Sequence, residues 1–417
     1  MASTTAEPAS ARPPSTVGGR RVAVVAALAA AVATALWAYG NRHDFFDLRI
    51  YVSAMRWWAD GNDLYAYAQP DRVQGELYFT YPPFAALLLR PFAALPIGGT
   101  IAVFTAGTAL AVGLTTWWLV GPLADARGWP RWYAAGLAIP LVFLIEPTRE
   151  TITFGQINML LILLIVGDLL FAVPRKWRLA GAGIGLATAL KLFPGIFIVY
   201  LLVTRRWRAA IVASATAAGA TLLAAAIAPR ASWQFWTDAL WSTDRVGRTD
   251  YTGNQSLQGL LARLTAPAEP PRLAWLLLVV AVAGFGLWRA ARAARDGDEI
   301  TGMALTGLVA ALISPITWPH HVYWFVPAVL VLVTAAAAPV GRRRRVALIA
   351  LAIGGYAIAA VGVVSFVDFG TAPEPTDDAS EFLLRNLYVL AALVLLAALP
   401  THTRSASEKT DLPIGSV

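Results

Sequence analysis

The sequence predicts an all-α, polytopic membrane protein, and three observations carry that prediction. Of the 417 residues, 58% are hydrophobic and only 14% are charged, with a mean hydropathy of +0.60; soluble domains carry roughly 25% charged residues. The apolar residues fall in blocks close to the ~20 residues that cross hydrocarbon as a helix. The Lys and Arg residues gather in short loops between those blocks, as the positive-inside rule requires. That distribution also accounts for the net charge of +8: separated clusters make no nucleic-acid patch, so no nucleic-acid partner is expected. With no cysteine in the chain, disulfides, thiol nucleophiles and thiolate metal sites are excluded.

Taken in order, the opening "MASTTAEPASARPPSTVGGR" is Pro/Ser/Ala-rich and reads as a disordered cytoplasmic tail, residues 1–21. Arg20 and Arg21 precede the apolar run 22–40, so the first helix enters from the cytoplasm and exits with Asp47 outside. The basic clusters at 124–132, 175–178, 205–208, 289–295 and 341–345 all fall inside if spans lie near 99–120, 133–148, 157–173, 209–228, 273–291, 300–317, 322–340, 346–366 and 385–400. "YPPFAALLLRPFAALP" (81–96) then stays outside as a juxtamembrane helix in the interface. "LAGAGIGLATALKLFPGIFIVYLLVT" (179–204) starts and ends beside cytoplasmic arginines, and is read as two short helices turning at "KLFP". Counted as two spans, it brings the bundle to about 12, in a single membrane unit 22–400 followed by a second tail, 401–417. No internal repeat is visible, which weighs against a transporter.

This topology places six polar segments on one side: "FFDLRIY", "YFTYPP", "EPTRETITFGQIN", "KLFP", "DRVGRTDYTGNQSLQGLLARL" and "SPITWPHHVYW". A shared outer pocket follows. Asp47 heads an amphipathic stretch anchored by Ile50, Met55, Trp57 and Trp58, where Asp44 or Asp47 serves either as a helix N-cap or as a general base. His320 and His321 are half of the chain's four histidines; each is either an interfacial, backbone-bonded ring or a proton acceptor. Adjacent histidines do not point the same way on a helix and no third ligand has metal-like spacing, so no metal is expected. Glu146, Arg149, Glu150, Gln156 and Asn158 form a polar cluster that either satisfies helix ends or binds sugar hydroxyls, and Asn254 and Gln255 pose the same choice. Lys191, among apolar residues, either snorkels or pairs with a lipid phosphate. Arg149, Arg245 and Arg248 are outer cations with the same potential use. "GAGIG" (181–185) lacks a strand–turn–helix setting and is read as close helix packing; no P-loop is present, so no nucleotide cofactor is expected.

Together, "FFDLRIY", "FTYPPFAALLLRPFAALP", "EPTRETITFGQINMLLILLIVGDLL", "ALKLFPGIFIVYLLVTRRWRAA", "GNQSLQGLLARL" and "SPITWPHHVYW" resemble glycosyltransferase family 87 of the GT-C superfamily along almost the full chain. The resemblance implies a GT-C-like bundle in the plasma membrane, an active site on the outer side, and an aspartate in the first external loop, matched by Asp47. It implies a polyprenyl-phosphate-mannose donor, a phosphatidylinositol mannoside or lipomannan acceptor, and transfer with inversion, giving an α-1,2 linkage. On that reading Asp47 is the first candidate base and His321 or His320 the second. Lys191, Arg149 and Arg248 hold the donor phosphate. Arg49, Tyr81, Glu146, Gln156, Asn158, Asn254, Gln255, Trp318 and Tyr323 line the sugar and acceptor sites. Two other readings remain: the same fold using arabinofuranose or glucose, and a transporter or flippase for a lipid-linked sugar.

Overall fold

The computed structural model describes residues 16–71, 75–362, 376 and 378–401. Five helices are long and apolar enough to cross a bilayer: α1 (Thr16–Tyr39), α4 (Ile97–Leu119), α11 (Trp207–Ile227), α14 (Arg272–Arg295) and α17 (Arg342–Val361). A sixth is a pair bent by 73°, α18 (Ala379–Arg385) with α19 (Leu387–Ala398). The protein is therefore a multi-pass α-helical membrane protein. Most of the expected tail residues, 1–15 and 402–417, and the end of the span expected at 346–366, lie outside the described residues.

Several of the other expected spans are shorter than the hydrocarbon. The expected 133–148, 157–173, 300–317 and 322–340 are realised as α6 (Arg131–Leu144), α8 (Asn158–Gly167, continued by a π turn to Ala172), α15 (Glu299–Ile313) and α16 (Phe325–Ala337). At 1.5 Å per residue the 14 residues of α6 reach only about 21 Å. The missing length went into the polar segments 145–157 and 314–324, which break out of the apolar pattern to build the cavities described below. α15 is enclosed on all sides, buried without interruption from Thr301 to Leu312. α14, in contrast, presents Leu273, Leu276, Leu277 and Val280 outward, as a lipid-facing helix does.

The basic loops hold together as structure. α5 (Gly121–Arg127) fills one of them, and Arg206 makes a bidentate contact with Glu299, which also accepts from the Tyr200 hydroxyl at 2.8 Å. "GAGIG" does pack closely: a Cβ at Gly185 would come within 2.3 Å of the Ala213 carbonyl, so α9 (Ala182–Leu190) lies directly on α11. α9 breaks at Lys191, a single turn over Phe193–Gly195 follows, and α10 (Ile196–Val203) resumes.

Between α1 and α4 lies a long excursion. It contains α2 (Phe46–Ala59), a two-stranded antiparallel hairpin, β1 (Ala68–Asp71) with β2 (Gly75–Tyr78), and the short apolar α3 (Pro83–Leu89). α3 falls within 81–96, the stretch expected to be helical; the hairpin, four residues per strand, was not visible as alternation. Around the rest run α7 (Glu146–Phe154), α12 (Pro229–Gln234) and α13 (Leu257–Thr265).

Candidate active site

Asp47 owes its position to a sharp corner. α1 stops at Tyr39, and Asp44 and Phe45 both adopt left-handed backbone, φ +46° and +54°. The Phe45 N–H donates to the Thr153 carbonyl at 2.7 Å, fixing the start of α2 on the end of α7. Asp47 sits one residue inside α2 and caps nothing. Its neighbour Asp44 stays at the surface, paired with Arg49 at 3.0 Å, so the structure does not bring Arg49 into the cavity. α7 ends at Gly155 with φ +72°, a conformation L side chains rarely adopt, and a Cβ there would lie 2.5 Å from the Leu48 Cβ. Gly155→Ala should therefore displace α2 and Asp47 with it. We expect normal insertion but a rate reduced about 100-fold, the cost of an ångström-scale misplacement. The check is turnover per correctly folded molecule, counted by size exclusion.

From Asp47 a chain of hydrogen bonds crosses the site. Gln156 Nε2 donates to Asp47 Oδ2 at 2.5 Å, and the Tyr81 hydroxyl donates to Gln156 Oε1 at 2.7 Å. Tyr51, one helical turn beyond Asp47, shares a 2.7 Å hydroxyl contact with Tyr81. Lys191 Nζ reaches Asn158 Oδ1 at 3.0 Å, the Tyr81 hydroxyl at 3.5 Å and His321 Nε2 at 2.9 Å. Asn158 Nδ2 donates to the His320 carbonyl at 3.1 Å, and the Trp318 N–H donates to His321 Nδ1 at 3.1 Å. Seven predicted site residues thus converge: Asp47, Tyr81, Gln156, Asn158, Lys191, His320 and His321. Lys191 sits in this polar turn rather than snorkelling to an interface.

Two cavities meet at Asp47. One, of about 100 Å³, is lined by Tyr51, Tyr78, Tyr81, Gln156, Lys191, Arg245 and His321. The other, of about 380 Å³, is lined by Arg42, His43, Asp71, Glu150, Phe154 and Tyr251. Asp47, Leu77, Val246, Trp318 and His320 border both. Burial pushes the Asp47 carboxyl up to about 6, against the pull of the Gln156 hydrogen bond and the Lys191 charge. Burial raises Glu150 well above the ordinary carboxylate range, with nearby Glu146 adding to it. His320 and His321 are held neutral chiefly by burial; burial and Arg42 bring His43 to about 4. His320 Nδ1 lies 3.8 Å from Glu150 Oε2.

Other predicted residues are committed elsewhere. Arg149 donates to the Leu144 carbonyl and, at 2.7 Å, to the Ala360 carbonyl, with its guanidinium over the Tyr39 ring, so it lines neither cavity. Arg248 pairs with Asp250 at 3.0 Å and faces a separate cavity of about 970 Å³ with Trp241, Gln258 and Arg272. Arg245, not among the residues assigned to the phosphate from sequence, lines the smaller cavity: its guanidinium lies 4.3 Å over the Tyr78 ring and donates to the Tyr65 carbonyl, while its buried Nε has no hydrogen-bond partner among the described residues. Glu146 is fully buried and accepts from Tyr388 at 2.8 Å; Tyr323 is buried against Thr115.

Asn254 and Gln255 are structural. Asn254 Nδ2 donates to the Thr249 and Pro315 carbonyls at 2.9 and 3.1 Å and its Oδ1 accepts from the Thr317 N–H at 3.0 Å. Gln255 likewise bonds the carbonyls of Thr252 and Arg385 and the Tyr388 N–H. Fully buried Arg263 completes this staple, donating to the carbonyls of Tyr251 and Asn254 and to Asn386 Oδ1. The amides fix the Trp318 loop rather than bind a sugar. Sequence reading missed Tyr51 and His43. Tyr51 could have been found from its i, i+4 spacing to Asp47 on one helix face; His43 carries no such signal.

A buried carboxylate whose pKa burial raises, set between two cavities lined by cations, carboxylates, aromatics and a histidine, marks a functional site. The model of glycosyltransferase family 87 matches residues 79–315. A polyprenol-phosphate-mannose-dependent alpha-(1-2)-phosphatidylinositol mannoside mannosyltransferase of Mycolicibacterium smegmatis is 33% identical over 399 residues, covering 88% of this chain and 87% of that one. Its namesake from Mycobacterium tuberculosis is 34% identical over 336 residues, 77% and 76% of the two chains. A polyprenol-phosphate-mannose-dependent alpha-(1-2)-phosphatidylinositol pentamannoside mannosyltransferase of M. smegmatis is 30% identical over 317 residues, 74% of each. The chain belongs to glycosyltransferase family 87, and it is a glycosyltransferase.

Proposed function

We propose that this chain moves mannose from a polyprenyl-phosphate-mannose donor to a phosphatidylinositol mannoside-type glycolipid, forming an α-1,2 linkage at the outer face of the plasma membrane. The relatives' printed activities support the substrates. The observation that carries the mechanism is the placement of Asp47 on the border of two unlike cavities. The smaller, with Lys191 and Arg245, suits the donor phosphate. The larger, with Glu150, Asp71, His43 and Tyr251, suits an acceptor sugar, whose hydroxyls need donors and acceptors together. The outer face is supported by the basic clusters, which lie in connecting segments and in the helix turns beside them, such as the end of α14 and the start of α17. A GT-C-type arrangement of about 12 spans is the architecture that goes with this reading.

The acceptor hydroxyl oxygen bonds to the anomeric carbon while the bond from that carbon to the phosphate oxygen breaks, its electron pair leaving on the phosphate. The hydroxyl proton passes to Asp47. His321 has both ring nitrogens engaged, and burial holds His320 well below the usual imidazole range, a poor proton acceptor; both favour Asp47 as the base. Phosphate is a good leaving group and needs charge stabilisation more than an acid, which Lys191 and Arg245 supply. A single displacement inverts the anomeric centre, as in inverting glycosidases.

The test supplies membranes containing the chain with radiolabelled polyprenyl-phosphate-mannose and a phosphatidylinositol mannoside. Label should move to the glycolipid. If it stays on the donor while arabinofuranosyl or glucosyl donors are consumed, the sugar is wrong; if the donor only changes leaflet, the enzyme reading itself falls. Arg245 and Arg248 separate by the same assay. Arg245→Ala should raise the donor KM about tenfold or more, the loss of one charge-assisted contact, whereas Arg248→Ala should leave it within about twofold, the range of an uninvolved surface change.

A further inference from the structure

Resting on that assignment of the smaller cavity to the donor phosphate, we infer that Lys191 stands as an uncharged amine in the empty site, held so by His321, and takes one proton from solvent when the anionic donor binds.

A backbone N–H can only donate, and the Trp318 N–H points at His321 Nδ1, 3.1 Å away. His321 Nδ1 therefore offers a lone pair. A neutral imidazole that accepts at Nδ1 carries its proton on Nε2. Nε2 faces Lys191 Nζ at 2.9 Å. An ammonium has three N–H groups and no lone pair, so N–H would confront N–H across that distance. An amine has one lone pair and two N–H groups, which match the surroundings: the lone pair takes His321 Nε2–H, and the N–H groups reach Asn158 Oδ1 at 3.0 Å and the Tyr81 oxygen at 3.5 Å. Tyr81 is free to accept because its own proton goes to Gln156 Oε1. Turning the His321 ring over would put carbon atoms at both contacts and lose both bonds.

The groups facing Lys191 come from four elements. Asp47 on α2 favours the charged form; the burial of the turn opposes it, as does the His321 Nε2–H from the Trp318 loop, and His320, Tyr51, Tyr81 and Arg245 complete the wall. Burial brings the lysine down to about 7 from its ordinary value, so the amine form is accessible near neutrality. A phosphodiester anion entering the cavity reverses the balance. Once protonated, Lys191 is repelled by His321 Nε2–H and turns its N–H groups to the phosphate. His321 is thus a positioning residue: it keeps the empty cavity short of one charge and releases the lysine when the donor supplies a counter-charge.

Calorimetry on the full chain in lipid nanodiscs tests this directly. The probe is β-mannosyl farnesyl phosphate, a diester that does not itself titrate near pH 8.5, added without acceptor in two buffers of different ionisation enthalpy. Wild type should take up close to one proton per donor bound. Asp47→Asn should do the same, because the proton goes to the lysine. His321→Gln, whose amide oxygen can accept from an ammonium, should bind with uptake near zero. Wild-type binding without proton uptake, uptake that survives in His321→Gln, or uptake that vanishes in Asp47→Asn would each overturn the inference. A readout needing no variant is the donor Kd of wild type, which should weaken about tenfold per pH unit above the lysine's own titration; a flat Kd from pH 7 to 9 contradicts it. If only the substrate reading fails, transfer to the phosphatidylinositol mannoside is absent while donor binding still takes up its proton.

Discussion

Asp47→Asn should insert and fold yet transfer sugar about 10³-fold more slowly, within the 10²–10⁴ that a positioned proton acceptor contributes. Asparagine keeps an oxygen for Gln156 Nε2, which lies 2.5 Å from the carboxylate in wild type, so the loss reports proton transfer rather than collapse of the corner. The pH profile gives a second readout. The base works only when deprotonated, and burial raises its pKa to about 6. Wild-type kcat should therefore be flat above about pH 7 and fall tenfold per unit below 6, with that limb missing from the residual activity of the Asn variant. Near-wild-type transfer by Asp47→Asn, or a wild-type profile still flat at pH 5, would remove Asp47 from the chemistry.

Lys191→Ala should cost nearly as much, and in a different kinetic constant. It leaves the departing phosphate with Arg245 alone and removes the group that bridges Asn158, Tyr81 and His321. Removing one electrostatic group aimed at developing charge costs about 10²–10³ in rate. Here the loss should appear in kcat and in the donor KM, with the acceptor KM within about twofold of wild type. Arginine should rescue little of it. A guanidinium is always charged and has no lone pair for His321 Nε2–H, so the exchange is not conservative at this position. A variant whose defect lies in acceptor KM alone would place the phosphate elsewhere.

Much of this site was legible because membrane proteins keep ionisable groups only where they are used. Asp47, Lys191 and the Gln156–Asn158 pair stood out against apolar surroundings, and the structure joins them through Tyr81. What was not legible is where a loop sends each side chain. Arg245 and Arg248 are three residues apart in one polar segment. The turn over Thr243–Val246 directs the first into the Asp47 cavity, and the second pairs with Asp250 outside it. Asn254 and Gln255 look like sugar ligands by composition, yet backbone groups of other elements consume their amides. The span lengths were misread for a related reason: apolar residues flanking 145–157 and 314–324 are buried in protein rather than in lipid, and hydropathy alone does not distinguish the two.

The central claim, that one carboxylate drives a single displacement of a lipid phosphate, is tested most directly by the stereochemistry of the product. Purified chain is given a β-linked mannosyl prenyl phosphate and a phosphatidylinositol mannoside, and the anomeric configuration of the newly attached residue is read by NMR. An α-linked residue is expected, with no glycosyl-enzyme intermediate trappable on Asp47. A β-linked product, or a sugar covalently held on Asp47, would mean two displacements and would contradict it.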